Sequence, residues 1–280
     1  MTIRAAVQLI RPVNCAMIGF AVIVGAFVSK PPALTWEQGA LGFATGFLIC
    51  AYSMAVNDIY DLEVDRINGP ERPIPSGRIS EGSAYRLSTV VLAGGMTCAF
   101  LSLIPLAFVI AAVYAFLSWI YNSRAKKSGL PGNIIVASSL AIPFVYGGAV
   151  AGGSIGGSLL LMMALTAFFS GVGREVVKAM ADVEGDAKRN VESVARSRGL
   201  RTASVVGALF FLLAVFTSWV PLLTGLANQF YTFGVVVPDA IFVYLAVSII
   251  SKSDPRSAYR VKKVALAGMT VGLLVFIGGA

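Results

Sequence analysis

The sequence predicts an all-α membrane protein, with nine transmembrane helices around a central cavity and a helical cap on the cytoplasmic side. Three observations carry the membrane spans and their orientation. Nine apolar runs divide the chain, most of about 17–25 residues, the length that spans a bilayer's hydrocarbon as a helix. Only 13% of the residues are charged, against about 25% in an average soluble protein, and the mean hydropathy is +0.80. Of 22 Lys and Arg residues, all but Lys30 fall in the N-terminal arm and in every second connection.

The elements follow in order. Arg4 and Arg11 precede the first run, residues 13–29. This arm is expected to stay attached, because no small-residue cleavage site leads into a soluble body. The second run, 38–56, opens into a connection with Arg66, Arg72, Arg78 and Arg86. The third and fourth, 88–105 and 106–121, nearly touch at Pro105, and Arg124, Lys126 and Lys127 follow. The fifth, 134–152, contains Pro143, whose freed carbonyl neighbouring helices can satisfy. The sixth, 158–173, leads into the most basic connection, with Arg174, Lys178, Lys188, Arg189, Arg196, Arg198 and Arg201. The seventh is 202–220. The eighth, 231–251, holds Pro238 and Asp239, an intramembrane acid expected to make a local polar contact. Lys252, Arg256, Arg260, Lys262 and Lys263 separate it from the ninth, 264–279.

The positive-inside rule puts the N-terminus and these basic connections in the cytoplasm and the C-terminus outside a cell membrane crossed many times. Charges scattered over membrane loops form no nucleic-acid footprint, so no nucleic-acid partner is expected. The chain has no histidine, which excludes His-ligated metal sites and a His general base. Cys15, Cys50 and Cys98 all lie in apolar runs and read as packing residues.

Topology does not require acids, yet eleven of the 14 fall in two connections, after the second and the sixth run. Asp61-x-Glu63-x-Asp65 and Asp182-x-Glu184-x-Asp186 stand at one offset of 121 positions (61 to 182, 65 to 186). The chain therefore reads as a single domain, 1–280, built from pseudo-repeat halves of about 1–125 and 126–251 plus a ninth helix; such duplications place sites between the halves. If each span continues as helix, Asn57, Asp61 and Asp65 share a face, as do Asp182 and Asp186, with Cβ atoms about 5–6 Å apart. Oxygen donors without histidine or a thiol cluster select a hard ion. Asn57, Asp61, Asp65, Asp182 and Asp186 are accordingly candidate ligands for two or more Mg²⁺ ions holding a diphosphate. Arg72, Lys126 and Lys178, the last at the position matching Asn57, are candidate phosphate contacts. Solvated loop charge explains one isolated Asp-x-x-x-Asp; two copies at matched offset and at helix ends argue for a site.

Asn57-Asp58-x-x-Asp61-x-x-x-Asp65, then Asn68-x-x-x-Arg72-Pro73-x-Pro75-Ser76-Gly77, resembles the UbiA superfamily of intramembrane prenyltransferases. So do Asp182-x-x-x-Asp186, the stretch Tyr121…Lys126…Gly132-Asn133, and the opening Arg11-Pro12-x-Asn14. Arg174-Glu175-Val176-Val177-Lys178…Asp182-Val183-Glu184-Gly185-Asp186 is most similar to the digeranylgeranylglyceryl phosphate synthases of archaeal ether-lipid synthesis. Ala179 departs from the Asp of many relatives, and Ala195-Arg196-Ser197-Arg198 departs from a Thr-Leu-like pattern.

The resemblance implies Mg²⁺-dependent transfer of a polyprenyl group, geranylgeranyl foremost, from its diphosphate to a lipid-soluble acceptor, with geranylgeranylglyceryl phosphate favoured. Asp61, Asp182, Lys126 and Tyr121 are then the expected catalytic residues. Asn14, Arg11, Arg66, Arg72, Lys126 and Lys178 are the expected substrate contacts, with Arg11, Arg66 and Lys178 available for a second phosphate. Tyr121 is singled out among the aromatics because an aromatic face stabilises an allylic cation. An aromatic acceptor of the hydroxybenzoate or naphthoate type is the alternative within the class. A secondary transporter or Mg²⁺ channel is the alternative outside it, although transporters place their charges near the midplane.

Overall fold

The computed structural model describes residues 2–29, 34–152, 155, 157–188 and 190–279, and for Ile67, Asn68 and Lys188 the backbone only. Lys30 and Arg189 lie outside the described residues. Fourteen α-helices and no strand occur among them. Eight helices are long and apolar enough to cross a membrane, and a bent pair at the N-terminus makes nine if taken as one span. The protein is a multi-pass membrane protein.

Two compact units are distinguished: Met1–Phe27 with Pro31–Ser123 and Tyr146–Ser154, and Val28–Lys30 with Arg124–Val145 and Ile155–Ala280. In the first, α1 (Ile3–Ile10) is capped by Thr2 and stops at Arg11 in the left-handed region (φ 51°). Pro12 explains the stop, since the residue before a proline is driven from the helical region, while proline suits the first position of α2 (Pro12–Val28). The two helices meet at 47°. A Thr35–Gln38 capping box starts α3 (Trp36–Tyr60). α4 (Leu62–Asn68) follows after one residue, Ser80 caps α5 (Glu81–Leu101), and Pro105 opens α6 (Pro105–Ser123). Ala5 and Leu9 of α1 pack on Ala55, Ile59, Leu62, Ile74, Ile79 and Ala84, so α1 covers the charged end of α3. The C-terminal end of α7 (Leu130–Val150) belongs to this unit; a Cβ at Gly147 would run into the Val22 carbonyl, which is how small residues let membrane helices approach.

In the second unit, α8 (Ser158–Ala181), α9 (Val183–Lys188), α10 (Val194–Arg198) and α11 (Leu200–Leu223) precede α12 (Gln229–Gly234), α13 (Val236–Ser251) and α14 (Pro255–Gly279). The eighth predicted run is thus two helices broken at Val235, which puts Pro238 in the first turn of α13, where its missing N–H costs no helix bond. Val172, Val176, Val177 and Met180 of α8 pack with Ala203, Phe211, Leu245, Ile249, Val261 and Ala265 in one core. On α11, Val205, Leu209, Leu212 and Phe216 are exposed at helical spacing, a stripe that lipid rather than water accommodates. Asp239 is buried with the Ser218 hydroxyl 2.9 Å from both its oxygens, the local contact expected of it. All three cysteines are free, with Cys15 and Cys50 buried.

Helices outrun the apolar runs at their charged ends. The sixth run ends at residue 173, yet α8 continues to Ala181; the ninth begins at 264, yet α14 starts at Pro255. Those extra turns carry the polar residues of the candidate site.

Candidate active site

In the first unit, α3 carries Asn57 and Asp58 in its last turn. Asp61 is the joint with α4, at φ −87°, ψ 1°, the sparsely populated bridge region that active-site residues often occupy. The bond ladder nevertheless continues, with Asp61 N–H to the Asn57 carbonyl (3.0 Å) and Asp65 N–H to the Asp61 carbonyl (2.8 Å). In the second unit the same joint recurs at Asp182, at φ −108°, ψ 17° between α8 and α9. Its N–H bonds the Lys178 carbonyl (3.1 Å), and Asp186 N–H bonds the Asp182 carbonyl (2.9 Å). The expected continuous helix is therefore interrupted at the same aspartate in both copies. Burial repeats as well: Asp65 and Asp186 are buried, Asp61 and Asp182 partly exposed.

The acids of the first unit are held by arginines. Arg11 Nη2 lies 2.5 Å from Asp58 Oδ1; Arg72 Nη1 lies 2.5 Å from Asp65 Oδ2 and 3.9 Å from Asp58 Oδ1. Partial burial disfavours the Arg72 cation, but its bond to Asp65 and the charges of Asp65, Asp58 and Asp61 together outweigh that and raise its pKa above the ordinary value. Arg78 clamps this connection, donating to Gln8 Oε1 (2.6 Å), Ser76 Oγ (2.9 Å) and the Glu71 carbonyl. Asn57 donates to Asn122 Oδ1 (2.8 Å), and Asn122 donates to the Ser118 carbonyl (2.8 Å), which fixes the motif's first residue to α6 beside Tyr121. Arg66 points elsewhere, pairing with the exposed Glu63 (2.6 Å), and Asn14 is exposed in the first turn of α2.

In the second unit, Glu175 is buried between Arg174 (2.7 Å) and Lys178 (2.9 Å), and Lys262 Nζ lies 3.3 Å from Asp182 Oδ1. Lys126 sits in a 3₁₀ turn, Ala125–Lys127, whose Lys127 carbonyl accepts from Glu192 N–H (2.9 Å). Val191 N–H in turn bonds the Asp186 carbonyl (2.9 Å), so the Lys126 turn and the Asp186 helix share one backbone scaffold. Gly129 makes this possible: its φ is +69°, and a Cβ there would enter the Glu192 carbonyl.

Sequence reading gave no role to Asp58, Asn122, Glu175 or Lys262. Asp58 and Glu175 stood inside quoted motifs, so burial was the missing signal. Lys262 lies 80 residues from Asp182, and no spacing links them.

Four buried polar atoms, Asn133 Nδ2, the Tyr146 hydroxyl, Arg174 Nε and Ser193 Oγ, have no hydrogen-bond partner among the described residues, and three of them, all but Tyr146, lie in the second unit. Buried unsatisfied donors cost about 1–3 kcal/mol each, and an anionic ligand would satisfy them. No three His, Cys, Asp or Glu side chains converge on one point among the described residues. Any ion would then take one or two carboxylates at a time, the number that suits Mg²⁺ alongside water and substrate oxygens. The donor set fits a hard cation and a phosphate-bearing ligand.

The family model described as the UbiA prenyltransferase family matches residues 18–271. The chain belongs to the UbiA prenyltransferase family. It is a prenyltransferase. Digeranylgeranylglyceryl phosphate synthase of Archaeoglobus fulgidus is 35% identical over 99% of this chain and 96% of its own length. The enzyme of that name from Sulfolobus acidocaldarius is 35% identical, over 98% and 99%. A solved structure of digeranylgeranylglyceryl phosphate synthase superposes with a TM-score of 0.85 at 30% identity, covering 99% of this chain and 97% of that one. A UbiA homolog from Archaeoglobus fulgidus bound to DMAPP and Mg²⁺ shares the fold, at a TM-score of 0.71 and 21% identity over 97% of this chain and 98% of that one.

Proposed function

We propose that this UbiA prenyltransferase transfers a geranylgeranyl group from geranylgeranyl diphosphate to the hydroxyl of geranylgeranylglyceryl phosphate, with two or more Mg²⁺ ions. The observation that carries the reading is the repeated aspartate joint, with the helix interrupted at a partly exposed Asp61 or Asp182 and a buried Asp65 or Asp186 four residues on. Full-length relatives that bear the synthase name support the acceptor, and the homolog holding DMAPP and Mg²⁺ supports the donor class and the ion.

In this reading Asn57, Asp61 and Asp65 from one half and Asp182 and Asp186 from the other are the ion ligands. Mg²⁺, when bound, neutralises the charge that grows on the diphosphate as it leaves. Arg72 and Lys126 hold diphosphate oxygens, where cationic help is greatest as the C1–O bond breaks. Tyr121, anchored through its neighbour Asn122, faces the allylic cation. The acceptor oxygen bonds to C1, its proton goes to released diphosphate or water, and the electron pair of the broken bond leaves with the diphosphate. The apolar helices keep water from the cation. Arg11 and Lys178, with Asn14 and Arg66 at the periphery, serve the acceptor. The basic connections face the cytoplasm.

The test is turnover of purified protein with geranylgeranyl diphosphate, Mg²⁺ and each acceptor separately. Digeranylgeranylglyceryl phosphate should form, and chelation should abolish it. Product from 4-hydroxybenzoate or a naphthoate alone would overturn the acceptor assignment.

A further inference from the structure

We infer that Lys262, on the last membrane helix, binds a substrate phosphate beside Asp182. Its surroundings are unusual for a lysine so distant from either motif. The side chain is only 18% exposed, and lysines are rarely so covered unless paired. Its Nζ lies 3.3 and 3.5 Å from the two Asp182 oxygens, longer than a closed ammonium–carboxylate bond of about 2.7–2.9 Å. An ammonium has three donors, and this contact uses two at most. The ring centroid of Tyr259, one turn earlier on α14, lies 5.0 Å from Nζ, within range of a cation–π contact. Asp182 is 41% exposed, so the pair sits where a ligand can reach it.

The two basic residues of α8 are more tightly engaged. Lys178 and Arg174 close on the buried Glu175 at 2.9 and 2.7 Å. Lys263 lies over the Tyr259 ring, 4.4 Å from its centroid, and is exposed. Lys262 is thus a cation with spare donor capacity set against the exposed aspartate of the second motif. A phosphate approaching Asp182 meets carboxylate repulsion that Lys262 offsets, and a compact point charge suits such an anion. Two sources share this chemistry: the diphosphate of the prenyl donor and the phosphomonoester of the acceptor.

The inference rests on the proposed function, and the experiment separates the two. Full-length wild type, Lys262→Met and Lys262→Arg are compared for KM of donor and acceptor, kcat, and calorimetric binding of inorganic pyrophosphate. Lys262→Met should raise one KM about tenfold and leave the other within twofold, and Lys262→Arg should restore most of the loss. A raised donor KM with weakened pyrophosphate binding assigns the diphosphate; a raised acceptor KM with unchanged pyrophosphate binding assigns the phosphomonoester. Both KM values and pyrophosphate binding unchanged, or a fall in kcat alone, would overturn the inference, as would equal losses in Lys262→Arg and Lys262→Met at matched thermal stability. If wild type forms no product from geranylgeranylglyceryl phosphate, the proposed acceptor fails, and pyrophosphate binding still decides whether Lys262 serves the diphosphate.

Discussion

Asp65 and Asp182 differ in burial and in partner, so loss of their charges should differ in effect. Asp65 is buried against Arg72, and removing one partner of a buried pair costs up to about 3–5 kcal/mol, less here because Arg72 is 40% exposed. Asp65→Asn should therefore lower both Tm and activity, whereas Asp182→Asn, at a half-exposed carboxylate, should leave Tm near wild type. Activity should fall by about 10²–10³-fold in each, the scale for deleting one electrostatic contributor. Thermal melts and initial rates on the two variants check this; a Tm drop in Asp182→Asn as large as in Asp65→Asn would contradict it. At this scale the sequence showed which acids repeat, because spacing is a sequence property. It did not show that Asp58 lies between Arg11 and Arg72, because a turn of chain that brings position 11 to position 58 leaves no periodic trace.

Between residues and molecule stand the connections. The turn bearing Lys126 depends on Gly129, where alanine meets both a left-handed backbone, costing about 1–2 kcal/mol, and the Glu192 carbonyl. Gly129→Ala should displace Lys126, raise the donor KM several-fold and lower Tm, while Gly82→Ala, in open space in the first turn of α5, should change neither. Donor KM unchanged in Gly129→Ala would show that Lys126 needs no such scaffold. Apolar runs located the eight helices that can cross a membrane alone, since hydropathy reads the lipid-facing stretch directly, and the first run is a span only together with α1, from which it is bent. They ended short of the helices, because the final turns of α8 and the first of α14 carry charge while keeping helical bonding. Those turns carry part of the proposed site. The break at Val235 was also missed, since the apolar run passes through it, although Gly234 ends α12 at the break.

For the whole molecule, the basic connections were legible from charge alone, and family membership makes the chain a membrane prenyltransferase. The predicted orientation is open to a direct check. A single cysteine placed at Arg124 in a cysteine-free background should react with an impermeant maleimide only in inverted vesicles, and one placed near Gln38 only in right-side-out cells. The reverse pattern would put the Asp motifs on the outer face. The central claim is that both motifs serve one diphosphate. A structure with Mn²⁺ and an unreactive thiodiphosphate analogue of the donor tests it most directly. Anomalous peaks at Asp61/Asp65 and at Asp182/Asp186, bridged by a single diphosphate, are the predicted result. A diphosphate ligated through one motif alone, with the other bound to protein side chains only, would contradict it.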